Sequence, residues 1–239
     1  MKGERLKILE GDEQNEVIVR HLKTSRADGN SLSIVEAGCG RRWPFKLDGV
    51  AYKLIGIDMD REALAIRQSK ERDLDDAIVG DLRTVELPSA GFDAIYNSYV
   101  LEHVDGARKV LENFMRWLKP GGIMIITIPD PESAYGFFAR HTPHWFHVWF
   151  YRYVGRNPKA GQPGYPPYPT FYDDVVSRQG MRKFVQENKL ELVEEFGFYR
   201  PPGVIGLLTR LASWAFLGRL AHDHTNLLFV IRKPNARPS

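Results

Sequence analysis

Apolar runs of strand length alternate along this chain with segments whose apolar positions recur at helical spacing. The strand-like runs each end at a polar residue and lie at residues 34–35, 54–57, 92–96 and 123–126. Helical spacing marks residues 12–24, 61–70 and 110–118. This alternation predicts a parallel α/β sheet with helices packed on both faces.

The first two runs and the turn between them carry the most chemical information. The first run leads into Glu36 and two alternate glycines, Gly38 and Gly40, and the second run ends at Asp58. Glycine lets the main chain approach a ligand where a Cβ would collide. A carboxylate at the end of the second strand can accept hydrogen bonds from ribose hydroxyls. The unit therefore predicts a nucleoside site at the carboxyl ends of parallel strands.

The glycine turn departs from the pattern of dinucleotide-binding domains. Those domains use Gly-x-Gly-x-x-Gly, in which the third glycine opens a helix that seats a pyrophosphate. Trp43 stands at the third glycine position, and Pro44 and Gly49 interrupt the short stretch before the second strand. A nicotinamide-dependent oxidoreductase is therefore the disfavoured alternative.

Three further motifs follow in order along the chain. They are Ile-Val-Gly-Asp-Leu at 78–82, Phe-Asp-Ala-Ile-Tyr-Asn-Ser with Val-Leu-Glu-His-Val at 92–104, and Leu-Lys-Pro-Gly-Gly-Ile-Met-Ile-Ile at 118–126. Together with Val-Glu-Ala-Gly-Cys-Gly and Gly-Ile-Asp, they resemble the ordered motifs of class I S-adenosylmethionine-dependent methyltransferases. The resemblance covers residues 31–130 well and 170–231 loosely. Arg42 departs from it, because the family often has a small residue there.

The resemblance implies a doubly wound, Rossmann-like α/β fold with a seven-stranded, mostly parallel sheet and an antiparallel last strand. We expect one domain over residues 1–239, with a core at about 12–130 and 173–233. Asp173–Lys189 is predicted as the last packing helix. Leu190–Phe198 and Leu227–Ile231 are predicted as the final antiparallel strands.

The resemblance also implies the cofactor, S-adenosyl-L-methionine, and the residues that hold it. Glu36 is expected near the methionine amino group, Gly38 and Gly40 beneath that moiety, and Asp58 on the ribose. The remaining expected contacts lie in the glycine turn, around the adenine and at the end of the fourth strand, and comprise Cys39, Met59, Asp81, Leu82, Asn97 and Ser98. The simpler interpretation of Asp81 is a turn former, and that of Cys39 is a small residue that fits the turn.

A catalytic base is needed only if the acceptor keeps its proton until it attacks. His103, in the Leu-Glu-His-Val turn, is the leading candidate, with a packing role as the alternative. His144 or His147 could act on an acceptor. His141, His144 and His147 also have the spacing His-x-x-His-x-x-His, but Pro143 interrupts the turn and no glutamate follows the zincin pattern. No metal is therefore expected.

Two segments, residues 131–172 and 201–224, do not belong to the predicted sheet or its packing helices. The first is rich in aromatic residues and holds a proline-glycine cluster at 161–169, and the second includes a leucine-rich run at 207–217. Three interpretations stay open for them. They form a lid over a hydrophobic acceptor, they pack as a subdomain or dimer face, or they contact a membrane surface, since tryptophans, tyrosines and arginines are neighbours there.

Composition narrows the partners and the compartment. The net charge is +3, with lysines and arginines scattered rather than clustered, which disfavours nucleic acid. The single cysteine excludes an internal disulfide and favours the cytoplasm. We expect no membrane-spanning segment and no signal peptide, because no apolar run is long enough.

The function expected from all this is S-adenosylmethionine-dependent methylation of a hydrophobic or aromatic small molecule. Oxygen is the favoured acceptor atom, with nitrogen and carbon as alternatives. A membrane-associated lipid or isoprenoid methyltransferase is the alternative within the class. A cofactor-binding partner without activity of its own is the alternative outside it. A homodimer and peripheral membrane contact stay open.

Overall fold

The structure, a computed structural model, describes residues 6–25, 31–153, 156–162, 167–171, 173–200 and 203–235. Eight strands form one sheet in the order β1-β7-β8-β6-β5-β2-β3-β4. The strands are β1 (Lys7–Leu9), β2 (Leu32–Ala37), β3 (Tyr52–Asp58), β4 (Asp76–Val79), β5 (Phe92–Ser98), β6 (Leu118–Pro129), β7 (Glu191–Phe198) and β8 (Asn226–Arg232). The helices are α1 (Glu13–Thr24), α2 (Arg61–Ile66), α3 (Ala107–Trp117), α4 (Ala134–His141), α5 (His144–Tyr153), α6 (Arg178–Glu187) and α7 (Gly203–Ala215).

The sheet has the expected mostly parallel topology with an antiparallel last strand. β8 pairs antiparallel with both β6 and β7, and all other pairs are parallel. The sheet has eight strands instead of the expected seven, because the three-residue β1 adds to the outer side of β7. A run this short has no readable periodicity, since strand and helix cannot be told apart over three residues.

Buried apolar side chains cover both faces of the sheet, as a doubly wound fold requires. α3 and α6 pack on one face and α1 on the other. α6 begins at Arg178 instead of the predicted Asp173, because the Ser177 side chain accepts a hydrogen bond from the Gly180 N–H and caps the helix. Residues 38–51, between β2 and β3, form no helix, as the interrupting proline and glycine predicted.

The two predicted insertions leave the sheet after β6 and β7. The first contains α4 and α5, and the second contains α7. The rings of Phe137 and Phe216 approach to 5.2 Å between centroids, and Ser133 forms a bridge with Ala221, so the two insertions pack together. Residues 163–166 of the proline-glycine cluster and Tyr172 lie outside the described residues. In the described part of the chain, no helix is long and apolar enough to cross a bilayer.

Candidate functional site

The carboxyl edge of the sheet divides into two halves on either side of β5. We call the loops after β2, β3 and β4 the glycine half, because the glycine turn lies there. We call the segments after β6 and β7, residues 130–175 and 199–225, the insertion half. Ligands of open α/β sheets bind outside the carboxyl ends of the strands, where the strand order reverses. In this sheet that point lies between β2 and β5.

The glycine turn needs both of its glycines. Gly38 and Gly40 have φ of 74° and 57°, a backbone region that L side chains rarely adopt. A Cβ on Gly38 would lie 2.2 Å from the Val100 side chain, so the turn after β5 packs directly on it. A Cβ on Gly40 would meet nothing within 4 Å, so this glycine borders open space. The second glycine thus leaves room for a ligand beside the main chain.

Asp58 holds the glycine turn in place. One carboxylate oxygen accepts a hydrogen bond from the Gly40 N–H at 2.8 Å, and the other accepts one from the Asp60 N–H at 2.8 Å. A carboxylate has about four acceptor positions. Two acceptor positions of Asp58 fix the turn, and the other positions can accept hydrogen bonds from the ribose hydroxyls that the resemblance assigns to it.

Glu36 is buried and paired with Arg67. The Arg67 guanidinium, which is fully buried, donates to Glu36 at 2.9 Å, to Asp73 at 2.7 Å and to the Cys39 carbonyl oxygen at 2.8 Å. Arg67 begins a π-helical turn, residues 67–71, that continues α2. Burial raises the pKa of Glu36, and the guanidinium opposes that shift. The network ties the end of β2 to the turn after α2 and places charge behind the glycine turn.

The residues expected around the adenine lie after β3 and β4. Met59 is exposed on the edge, at 71 % of its surface. The Asp81 carboxylate takes hydrogen bonds from the Arg83 side chain, which lower the pKa of Asp81. Leu82 is buried, and its carbonyl oxygen accepts from Asn113. An adenine amine at Asp81 would therefore share the carboxylate with Arg83.

The end of β5 separates the two halves. Asn97 is fully buried, donates from Nδ2 to the Ala37 carbonyl oxygen at 2.8 Å and leaves its Oδ1 without a partner among the described residues. Ser98 is half-buried. The hydrogen bond from Asn97 to Ala37 therefore holds β2 and β5 together at the edge.

The cysteine of the glycine turn is not a candidate nucleophile. Burial raises the pKa of Cys39 to about 12, so its thiol stays protonated and unreactive at neutral pH.

The turn after β5 carries a carboxyl group that the sequence did not single out. Glu102 is 6 % exposed, and its Oε2 has no hydrogen-bond partner among the described residues. Burial raises the pKa of Glu102 to about 7. The Glu102 Oε1 lies 3.9 Å from the Nε2 of His103. A carboxyl group with this pKa can accept a proton near neutral pH.

The first insertion covers this turn. His103 Nδ1 donates to the Pro169 carbonyl oxygen at 2.8 Å, which leaves Nε2 as the acceptor nitrogen of the neutral ring. Burial lowers the pKa of His103, so the ring is neutral at physiological pH. The Phe171 N–H donates to the Glu102 carbonyl oxygen at 2.7 Å. The insertion thus packs on the two candidate proton acceptors of the site.

A cavity of about 400 Å³ lies at the carboxyl edge beside β1 and β7. Tyr99, Tyr199 and Phe198 supply its aromatic lining, and its polar groups come from Glu10, Gln14, Arg200 and Asn226. Tyr99 follows β5 directly, so the cavity reaches the boundary between the two halves. Its lining offers both a ring surface and hydrogen-bonding groups to a small molecule.

A buried histidine joins the ends of the two insertions. His224 lies 2.9 Å from Asp130 through Nε2 and 2.8 Å from Asp223 through Nδ1. Burial lowers the pKa of His224, but its hydrogen bonds and the charges of the two aspartates outweigh this and raise it. The protonated ring therefore bridges the start of the first insertion and the end of the second.

The remaining candidate, His144, is the first residue of α5, and its side chain is exposed. His141 and His147 are engaged with local groups, the Phe137 carbonyl oxygen and Thr142 respectively. Among the described residues, no group of three or more histidine, cysteine or acidic side chains could hold a metal ion. The edge brings the cofactor candidates and His103 together, whereas His144 stands apart on the insertion.

Sequence reasoning missed Arg67, Glu102, Tyr99 and His224. Arg67 lies on a predicted helix whose face could not be assigned. Glu102 had a signal, because an acid between Leu101 and Val104 is placed where burial is expected. His224 and its partner Asp130 are 94 residues apart along the chain. Only the packed structure brings such residues together.

A model of a family described as "Methyltransferase domain" matches residues 35–126. A probable S-adenosylmethionine-dependent methyltransferase of Mycolicibacterium smegmatis is 34 % identical over 119 residues, which are 49 % of this chain and 44 % of that protein. An uncharacterised methyltransferase of Mycobacterium bovis is 27 % identical over 125 residues, 47 % of this chain and 57 % of that protein. The chain thus spans about half the length of the curated relatives it matches.

Solved structures share the fold over nearly the whole chain. A SAM-dependent methyltransferase from Archaeoglobus fulgidus superposes with a TM-score of 0.60 at 14 % identity, over 93 % of this chain and 92 % of the other. The N-methyltransferase NodS from Bradyrhizobium japonicum, in complex with S-adenosyl-L-homocysteine, gives 0.57 at 17 % identity, over 93 % and 87 %. The solved structures confirm the fold class, and the family model covers most of the stretch whose motifs resemble methyltransferases.

Proposed function

We propose that this chain, whose residues 35–126 match the model of a methyltransferase domain, transfers a methyl group from S-adenosylmethionine to a small molecule. The cofactor lies in the glycine half, and the acceptor enters from the insertion half. The observation that carries the proposal is the open space beside Gly40, next to the Asp58 carboxylate, at the switch point of the sheet.

We propose that residues of the glycine half hold the three parts of the cofactor. Gly40 gives room for its chain, and Asp58 accepts from the ribose hydroxyls. Met59 and Asp81, just beyond the ends of β3 and β4, are the residues that we propose for the adenine. The buried pair of Glu36 and Arg67 keeps the glycine turn in shape. Each assignment is made from its place at the edge of the sheet.

When bound, S-adenosylmethionine supplies an activated methyl group that an acceptor atom takes by in-line displacement. The contribution of this chain is to hold the acceptor in line and to exclude water. Positioning of this kind can lower a barrier by about 7–11 kcal/mol in ideal cases. The insertions suit this role, because residues 168–171 pack on the turn after β5.

We assign the acceptor atom as an oxygen, because a proton acceptor lies beside the boundary of the two halves. The Glu102 carboxylate, with its pKa of about 7 and one unpartnered oxygen, can take the proton of a phenol or alcohol. The neutral His103 is the alternative acceptor through Nε2. An amine attacks as its free base and needs neither group.

The acceptor we propose is an aromatic small molecule with a polar substituent. The cavity of about 400 Å³ beside Tyr99 is large enough for a ring system, and Tyr199 and Phe198 can stack on it. Glu10, Gln14 and Arg200 can hold a polar substituent through hydrogen bonds.

Calorimetry with S-adenosyl-L-homocysteine tests the cofactor site, and methyl transfer from labelled cofactor to a panel of phenols and matched anilines tests the reaction. We expect binding, and methylation of phenols in preference to anilines. A folded sample that does not bind the cofactor product would overturn the proposal. Binding with no transfer to any acceptor would instead support a silent cofactor-binding partner.

A further inference from the structure

The second insertion contains a helix whose polarity is reversed. On α7, the polar Thr209 and Ser213 are buried at 5 % and 4 % exposure. Its leucines and tryptophan face outward, and Leu211 and Trp214 are 53 % and 81 % exposed. A surface helix normally buries its apolar stripe and exposes its polar side. The outer face of α7 is therefore apolar, as is typical of a surface that contacts a membrane or another protein.

The first insertion exposes a second apolar face. Trp145, Trp149 and Tyr153 recur every four residues along α5 and are 69 %, 47 % and 66 % exposed. No residue of α5 is buried. Tryptophan and tyrosine are the side chains enriched where apolar and aqueous phases meet, since each has an apolar ring and a polar atom.

Basic residues predominate within the two insertions, whose acids, Glu132 and Asp223, lie at their ends. Residues 133–172 and 199–222 contain no aspartate or glutamate, and seven lysines and arginines: Arg140, Arg152, Arg156, Lys159, Arg200, Arg210 and Arg219. The net charge of the whole chain is +3, so the rest of the chain is net negative. An apolar face on segments rich in basic residues is attracted to an anionic lipid surface, where basic residues gain binding energy.

We propose that the outer faces of α5 and α7 dock on an anionic lipid bilayer, with Trp145 and Trp214 inserted at the headgroup level. A second copy of the chain fits this surface less well. A twofold contact is self-complementary, so it would bring two acid-free, cationic segments together. The docking is peripheral, because α7 has 13 residues and no described helix is long enough to span. It does not depend on methyl transfer.

The test is co-sedimentation of the full chain with vesicles of phosphatidylcholine containing one third phosphatidylglycerol, beside vesicles of phosphatidylcholine alone. The variant Leu211→Glu/Trp214→Glu puts two carboxylates on the exposed face of α7 and disturbs no buried side chain. The control Lys109→Gln/Lys183→Gln lowers the net charge equally on the exposed surfaces of α3 and α6. Circular dichroism checks that each variant is folded, and Trp145→Glu tests α5 separately.

We expect the wild type to bind the anionic vesicles, with the affinity falling as salt rises because the charges are exposed. The α7 variant should bind at least about tenfold more weakly, and the control within about twofold of wild type. Absence of wild-type binding, equal binding to both kinds of vesicle, or full binding by the α7 variant would overturn the proposal. So would a dimer in light scattering that the α7 variant dissociates, without vesicle binding. Calorimetry with S-adenosyl-L-homocysteine reads the cofactor site separately, so the two proposals can fail independently.

Discussion

The two halves of the carboxyl edge differ in the length of their connections and in the exposure of their side chains. The glycine half has shorter connections, and a buried ion pair, Glu36 with Arg67, lies behind its turn. The insertion half has long connections, and most of its aromatic side chains are exposed. In the proposed function, the packed glycine half positions the cofactor, whereas the long segments of the insertion half cover the acceptor.

The two halves also differ in the interactions that stabilise them. In the glycine half, one buried guanidinium satisfies three neighbours, so losing it leaves uncompensated charge. In the insertion half, the charged cluster around His224 joins the ends of the two insertions, beside the bridge between Ser133 and Ala221. We therefore expect substitutions in the glycine half to cost more folding free energy than those in the insertion half.

The largest expected effect is that of Arg67→Met. It removes the guanidinium and leaves Glu36, with a side chain 5 % exposed, buried without its partner. Breaking a buried pair from one side costs about 3–5 kcal/mol. Urea unfolding would measure the loss, and Arg67→Met/Glu36→Gln should recover part of it, since no buried charge is then left.

Arg83→Met is the matched control, because the Arg83 side chain is 41 % exposed and pairs with Asp81. Exposed pairs contribute at most about 1 kcal/mol. Equal losses for the two arginine variants would show that the glycine half is not held by its buried network, and the contrast between the halves would fail.

Glu102→Gln should have the next largest effect, on turnover. A general base contributes at least about a hundredfold. Wild-type turnover should rise with pH through about 7, where Glu102 loses its proton, and the variant should lack that rise. His103→Gln should keep the rise. If the rise instead disappears in His103→Gln and stays in Glu102→Gln, the histidine is the base.

The pH dependence of folding stability provides a second test of the raised pKa of Glu102. The pKa of Glu102 is raised from 4.5 to about 7, so the protonated form is the one that folding favours. Its stabilisation is present below pH 4.5 and is lost as the pH rises through 7. Glutamine does not ionise, so the variant should match wild type near pH 4 and be more stable by roughly 3 kcal/mol above pH 8.

The glycine half was largely predictable from the sequence, and the insertion half was not. Gly38, Gly40 and Asp58 lie at strand ends, where backbone conformation and position follow from local pattern. Tertiary packing decides the rest. The sequence could not show that Arg67 turns inward or that α7 buries Thr209, because both are set by which neighbour covers the helix.

Asp58→Ala should weaken the binding of S-adenosyl-L-homocysteine. A hydrogen bond to a charged carboxylate contributes about 1.5–3 kcal/mol, so the affinity should fall by roughly ten- to a hundredfold in calorimetry. Asp60→Ala is the control, because Asp60 caps α2 by accepting from the Glu62 and Ala63 N–H groups. The control should lose helix stability and keep its affinity. Unchanged affinity in Asp58→Ala would move the ribose site elsewhere.

The smallest expected effect is that of His224→Asn, in the insertion half. Asparagine can still donate to Asp130 but cannot bridge to Asp223, which is 39 % exposed, so the loss should be about 1–2 kcal/mol at pH 6. The pKa of His224 is raised, so the stabilisation by its charged form is complete below 6.5 and is lost as the pH rises through the folded-state value. Unfolding measured from pH 6 to 9 should therefore show the two proteins converging. A difference that stays constant or grows with pH would mean that a neutral ring makes the contact, and that no charge joins the two insertions.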